Sequence, residues 1–213
     1  SASNRKTWTW SAWVKRSALT ASDYVHLFGY VASGATAYTN FIFKTGADRL
    51  QFWGNSGSVT LETSNLLRDP SAWYHLVLAV DTTQATAADR ANIYINGSEA
   101  AYAVDNRSST LSQNADLNVN NTVVHEIGGN PNFSNTRYFN GYLAEIHFID
   151  GQALAPTAFG EYDDNNLWQP KEYSGTYGPL VDTSQTWSNG MKTTIAATTT
   201  YSTTGRTTTF PSG

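Results

Sequence analysis

Large apolar and small polar residues alternate through Thr7-Trp8-Thr9-Trp10-Ser11-Ala12-Trp13-Val14. This period of two predicts a β-strand. Tyr38 to Lys44 and Leu50 to Trp53 predict a hairpin across Thr45-Gly46-Ala47-Asp48, and Val59 to Thr63 follows the turn residues Asn55-Ser56-Gly57. Trp73-Tyr74-His75-Leu76-Val77-Leu78-Ala79-Val80 is almost continuously apolar and reads as a buried strand ended by Asp81. Asn92 to Ile95 leads into Asn96-Gly97, the pair best suited to a type I′ hairpin turn because both residues tolerate positive φ. Gln84 to Asp89 reads as a loop or one helical turn. Asp105 to Asn121 reads as a long polar loop with a short strand near Leu117–Val119. Val123 to Ile127 and Tyr138 to Ile149 form a last core pair around a Gly/Asn/Pro loop. Helical patterning is confined to one short helix near residues 155–160, with Pro156 at or near its first position and Leu154, Ala158 and Phe159 facing the sheets. From Pro179 the chain turns Thr-rich and loses alternation, which divides it into a domain over 1–180 and an extended tail or linker over 181–213. No internal repeat is visible.

Composition agrees with an all-β class. Hydrophobic residues make up 40% and charged residues 14%, enough apolar material for a packed core. Trp, Tyr, Thr and Asn are favoured over Leu, Glu and Lys, a strand-and-turn bias. The formal charge is −4 and the longest basic run is the pair Lys15-Arg16, which disfavours a nucleic-acid groove. No apolar run approaches the ~18 residues of a membrane-spanning helix. Cysteine is absent, which removes disulfides, thiolate metal sites and thiol nucleophiles together.

Four segments in order, "WTWSAWVK", "WYHLVLAVD", "RANIYING" and "FNGYLAEIHFIDGQALAPTAF", resemble the laminin-G-like and pentraxin-like domains of the concanavalin A-like superfamily. The resemblance covers roughly residues 7 to 160. It implies a two-sheet antiparallel jelly-roll sandwich. The stretch from Tyr138 to Pro170 resembles, more narrowly, tail or virion proteins of bacteriophages and marine viruses, which implies a virion-surface, extracellular location. Relatives of this kind usually carry a strand ahead of "WTWSAWVK". The resemblance therefore implies either a missing first strand or an edge covered by a neighbouring segment or subunit, and a homo-oligomer is expected.

Candidate chemistry is sparse. Glu145-Ile146-His147-Phe148-Ile149-Asp150 partly matches the E-x-D-x-x-E strand of glycoside hydrolases on this scaffold, but His stands in the middle and Asp at the end. Retaining carboxylates need a separation of about 5–5.5 Å. Simple alternation puts Leu143, Glu145 and His147 on one face and Ala144, Ile146 and Phe148 on the other, a core strand with a polar face. His26, His75, His125 and His147 show no zinc spacing, and His75 reads as a core histidine. No catalytic residue and no metal ligand is assigned. Calcium is the one cofactor the resemblance allows. Its oxygen donors would come from Asp105-Asn106, Asn114 to Asp116 or Asp163-Asp164-Asn165-Asn166, although turns favour these residues for backbone reasons alone.

Sugar recognition calls for an aromatic platform under an apolar ring face and polar groups for the hydroxyls. Two loops provide such a set. One holds Asn130, Asn132, Phe133, Asn135 and Arg137, the other Trp53 and Asn55. The expected function is non-enzymatic adhesion to cell-surface carbohydrate, with other virion proteins as further partners and neither nucleic acid nor membrane insertion. A structural capsid-decoration or fibre-spacer domain is the first alternative, and a glycoside hydrolase on the same scaffold the second.

Overall fold

The computed structural model describes residues 3–19, 24–32, 37–44, 46–54, 58, 60–129, 137–177, 199–202 and 205–208. Its strands are β1 (Thr7–Arg16), β2 (Val25–Val31), β3 (Tyr38–Phe43), β4 (Leu50–Trp53), β5 (Leu61–Thr63), β6 (Tyr74–Asp81), β7 (Ala91–Ile95), β8 (Ser98–Glu99), β9 (Tyr102–Asp105), β10 (Glu126–Ile127), β11 (Gly141–Asp150), β12 (Gly160–Tyr162), β13 (Trp168–Pro170), β14 (Thr199–Ser202) and β15 (Gly205–Thr208). A five-stranded sheet runs β11-β1-β6-β7-β8 and a six-stranded sheet runs β10-β2-β3-β4-β5-β9, every pairing antiparallel. The pairs β12–β13 and β14–β15 form two separate hairpins.

The alternation of the first strand decides what the core contains. Trp8, Trp10, Ala12 and Val14 face inward and sit opposite Val80, Leu78, Leu76 and Tyr74 of β6. Leu76, Leu78 and Val80 in turn oppose Ile95, Ile93 and Ala91. From the other sheet, Phe28, Phe41, Phe52 and Leu61 lie side by side in one row of pairings. The two inner faces meet through the tryptophans: Trp10 stacks on Phe28 at 5.9 Å between ring centroids, and Trp8 meets Phe28 and Phe52 edge to face at 6.3 and 6.2 Å. Full burial of each such side chain stabilises the fold by roughly 2–3 kcal/mol, and the edge-to-face pairs add about 0.5–1.5 kcal/mol each.

The architecture is the expected antiparallel sandwich, with local differences, among them the strand β2 (Val25–Val31), which the sequence reading did not name. Leu117 and Val119 form no strand; they are fully or almost fully buried in the main core as parts of an irregular connection. Their burial is what made the segment resemble a strand. Within the same polar stretch a four-residue helix, α1 (Arg107–Thr110), forms where only a loop was expected. The helix expected near 155–160 is a single 3-10 turn, Pro156–Ala158, with Pro at its start as anticipated. Finally, Trp8 to Val14 is not a sheet edge. β1 is paired on both sides, by β6 and by β11, so it is covered as expected, and the covering strand comes from this chain itself. The Asn96-Gly97 turn takes the anticipated form, with φ of 48° and 84°. The expected boundary at residue 180 lies outside the described residues.

β11 breaks the simple alternation. Glu145 has φ of 47°, and the register against β1 shifts between Ser11 and Trp13. This bulge spends one extra residue and resets which side chains face inward. Leu143 and Phe148 both pack on the main core, although alternation had separated them, while His147 faces outward beside Ser11.

Candidate functional site

The outer face of the six-stranded sheet carries the candidate site. Because Phe28, Phe41 and Phe52 point inward, the residues next to them point outward. Pairing then places Glu126, Gly29, Asn40 and Trp53 in one row across β10, β2, β3 and β4. The adjacent row is His26, Ile42, Gln51 and Glu62. Gly29 is required in its place: its φ is +145°, and a Cβ would fall 2.2 Å from the Thr39 carbonyl oxygen and 2.8 Å from the Asn40 side-chain amide.

Aromatic rings gather over this face. Trp53 is half-buried and lies between Tyr24 at 5.8 Å and Tyr38 at 5.4 Å. The Arg137 guanidinium sits 5.3 Å from the centre of the Tyr24 ring, and the Arg137 carbonyl accepts a hydrogen bond from the His26 amide at 3.1 Å. Trp53 and Arg137, assigned to separate loops on sequence, thus converge through Tyr24. Tyr24 and Tyr38 were not among the site residues read from the sequence, because Tyr24 stands just ahead of β2 and Tyr38 opens β3, outside any loop pattern. Asn130, Asn132, Phe133, Asn135 and Asn55 lie outside the described residues.

Polar groups under the rings are mostly satisfied. Trp53 Nε1 donates to Gln51 Oε1 at 3.0 Å, and Gln51 Nε2 donates to Glu62 Oε2 at 2.7 Å. Lys44 Nζ and Arg49 Nη1 complete the cage around Glu62 at 2.8 and 3.1 Å. Burial alone would push the Glu62 carboxyl up, but the hydrogen bonds from Lys44, Gln51 and Arg49 outweigh it and hold the group below the usual range. Asn40, with its amide nitrogen turned inward, donates to the Tyr30 and Thr39 carbonyls at 3.1 Å each. Glu126 differs. It is only 6% exposed, its Oε2 is buried without a hydrogen-bond partner, and burial pushes its carboxyl up to about 7.

The hydrolase-like strand does not assemble a catalytic pair. Glu145 sits on the exposed bulge, five residues from Asp150, which at strand rise amounts to about 16 Å and exceeds either glycosidase spacing. Asp150 is also occupied: it accepts hydrogen bonds from Ser3 Oγ, from the Asn4 amide at 3.1 Å and from Asn120 Nδ2 at 2.9 Å, tying the first residues to the end of β11. Glu62 and Glu126 share a face but stand four strand spacings apart, about 19 Å.

The buried pair Ser11 and His75 offers no nucleophile either. His75 Nε2 lies 2.9 Å from Ser11 Oγ, and Trp168 Nε1 donates to His75 Nδ1 at 3.0 Å. An indole N–H can only donate, so Nδ1 is bare and the imidazole proton sits on Nε2, facing the serine. His75 therefore has no lone pair with which to activate Ser11, and it is the core histidine anticipated from sequence.

In the acidic turns three of the four aspartates, Asp105, Asp116 and Asp163, already have partners. Asp105 is engaged by Arg107 at 2.7 Å, and Asp163 Oδ1 accepts the Asn165 and Leu167 amides at 2.9 and 2.8 Å. Asp116 stands 4.0 Å from Lys6. Among the described residues no three His, Asp or Glu side chains gather within reach of one ion.

Comparison with known families gives the class. A model of the concanavalin A-like lectin/glucanases superfamily, of the laminin-G type, matches residues 1–157, and the chain belongs to this family. A search of curated proteins returned no significant match. Among solved structures, a candidate carbohydrate binding protein from Bacteroides ovatus is similar at 17% identity and a TM-score of 0.51, over 72% of this chain and 40% of that one. Trypanosoma rangeli sialidase is similar at 15% identity and a TM-score of 0.50, over 72% of this chain and 22% of that one. A heptameric SAP-like pentraxin from Limulus polyphemus is similar at 17% identity and a TM-score of 0.43, over 72% of this chain and 68% of that one. The chain thus spans less than half the length of the first two. The first two likenesses are of fold.

Proposed function

We propose that this chain is a non-enzymatic carbohydrate-binding module whose ligand lies on the outer face of the six-stranded sheet. The convergence of Trp53, Tyr24, Tyr38 and Arg137 over a floor of buried polar side chains carries this reading. A half-buried indole held by two tyrosines gives a firm apolar surface for a pyranose ring, and the Arg137 guanidinium beside Tyr24 supplies hydrogen-bond donors. The distances between carboxylates on both sheets support binding over hydrolysis. The carbohydrate binding named for the Bacteroides ovatus relative is in keeping with this reading. We infer a virion surface as the setting of the module, where it would attach to host glycan; the likeness of Tyr138 to Pro170 to virion proteins is the support for this part of the reading.

A glycan array probed in calcium and again in EDTA tests this reading. The expected result is binding that survives EDTA and is lost in Trp53→Ala. Silence in both conditions would favour the structural alternative, a decoration or spacer domain. Release of product from an oligosaccharide panel, abolished by Glu145→Gln, would favour the hydrolase.

A further inference from the structure

Among the described carboxylates of the candidate face, Glu126 holds an oxygen that is buried without a hydrogen-bond partner. Its backbone belongs to β10, a two-residue strand paired with β2, and its neighbour Ile127 turns into the core. Glu126 therefore shares the outer face with Asn40 and Trp53, in the same row. Gly29 stands between Glu126 and Asn40 with no side chain to fill the row. A carboxyl oxygen that is buried without a partner destabilises a fold. Glu62, two strands beyond β3 on the same face, shows the ordinary solution, with Lys44, Arg49 and Gln51 closed around it. Glu126 has no such cage. An unmet hydrogen-bonding group kept in a buried position beside a binding face is the form in which ligand-recognition groups stand before the ligand arrives.

Resting on the carbohydrate-binding reading above, we propose that Glu126 is a ligand-contacting residue that hydrogen-bonds sugar hydroxyls, and that the ligand is a short neutral oligosaccharide laid across the strands from Trp53 to Glu126. The length follows from the register. Three strand spacings separate Trp53 from Glu126, about 14 Å, which exceeds a single pyranose ring and suits two or three linked residues. The ring at one end stacks on Trp53, and the hydroxyls at the other end meet the Glu126 carboxyl. A neutral sugar fits a carboxyl that has no cation beside it, whereas an acidic sugar would bring a second negative charge to it.

The test compares wild type, Glu126→Leu and Trp53→Ala on a panel of neutral and acidic mono-, di- and trisaccharides by isothermal titration, with thermal melts of each variant. The expected result is binding of a neutral di- or trisaccharide in preference to its monosaccharide, weakened about tenfold or more by Glu126→Leu. Glu126→Leu should at the same time melt at or above wild type, because it removes a destabilising group. Loss of affinity with gain of stability is a signature that a structural glutamate would not give. Unchanged affinity in Glu126→Leu alongside lost affinity in Trp53→Ala would overturn the role of Glu126 and leave the carbohydrate reading standing. A lower melting point in Glu126→Leu would also overturn it, by showing a structural partner. Preference for acidic sugars would overturn the ligand class. No binding by wild type to any member of the panel would overturn both readings.

Discussion

The indole N–H of Trp168 donates to Nδ1 of His75 at 3.0 Å, fastening the segment after β11 to the outer face of the five-stranded sheet. The two rings also lie within 5.8 Å of each other, and Trp13 stacks on the imidazole at 5.2 Å. Nearby, Phe159 packs with Val77 and Ile149, with Leu154, Ala158 and Tyr173 around them. One sheet is thus closed by the chain's own continuation, and the candidate site is on the other.

Acid should weaken the fold through His75. Burial first, and the positive charge His147 can carry second, push the imidazole down to about 4, whereas the unfolded chain takes up its proton near 6.5. The stabilisation is therefore complete above pH 6.5 and is lost as pH falls from 6.5 through 4, about 3 kcal/mol in all. Melting temperatures of Glu126→Gln, which lacks the opposing carboxyl, should show this slope from pH 7.5 to 4. His75→Gln should melt lower at neutral pH and show a shallower acid slope.

Glu126 should act in the opposite sense. Its folded carboxyl is pushed up to about 7 by burial, above the ordinary 4.5, so the contribution is neutral below pH 4.5 and becomes a penalty as pH rises through 7. Glu126→Gln should raise the melting temperature at pH 8 and leave it nearly unchanged at pH 4.5, with a difference on the order of 3 kcal/mol. Equal effects at both pH values would count against an ionising buried carboxyl.

Trp168→Ala should loosen the covering segment without unfolding the sandwich. Cβ atoms built on Gly97 and Gly160 would stand 2.6 and 2.5 Å from the Trp168 ring, so both glycines mark how closely the ring is seated. Limited proteolysis should cut the variant within 160–177 well before wild type, while the far-ultraviolet circular dichroism of the two stays alike.

Gly29→Ala should be strongly destabilising. The methyl group would meet the Thr39 carbonyl oxygen at 2.2 Å, and φ of +145° disfavours any L side chain. A loss of more than about 3 kcal/mol is expected, a fall of roughly 10 °C in melting temperature. A neutral result would mean that β2 and β3 do not approach each other as described.

β1, β3, β4, β6, β7 and the core place of His75 were legible in the sequence because period-two patterning and the Asn96-Gly97 pair act over a few residues, whereas β2 was not, because the irregular register between His26 and Phe28 breaks its alternation. The reversal of β11 was not, because a bulge needs only one residue, Glu145, in a left-handed conformation and leaves no mark on composition. Trp53 and Arg137 could each be picked out, but Tyr24, which joins them, is brought in only by long-range pairing. Glu126 was hidden for the same reason. Next to Val123, Val124 and His125 it reads as a polar interruption of a core strand, and only the register through Gly29 and Asn40 sets it on the face with Trp53.

Amide hydrogen exchange with and without a bound neutral trisaccharide tests the central claim most directly. Ligand should slow exchange in β2, β3, β4 and β10, around Tyr24 to Val31, Tyr38 to Phe43, Leu50 to Trp53 and Glu126 to Ile127. Slowing confined to the acidic turns at 105–116 or 163–166, with the six-stranded sheet unchanged, would contradict it.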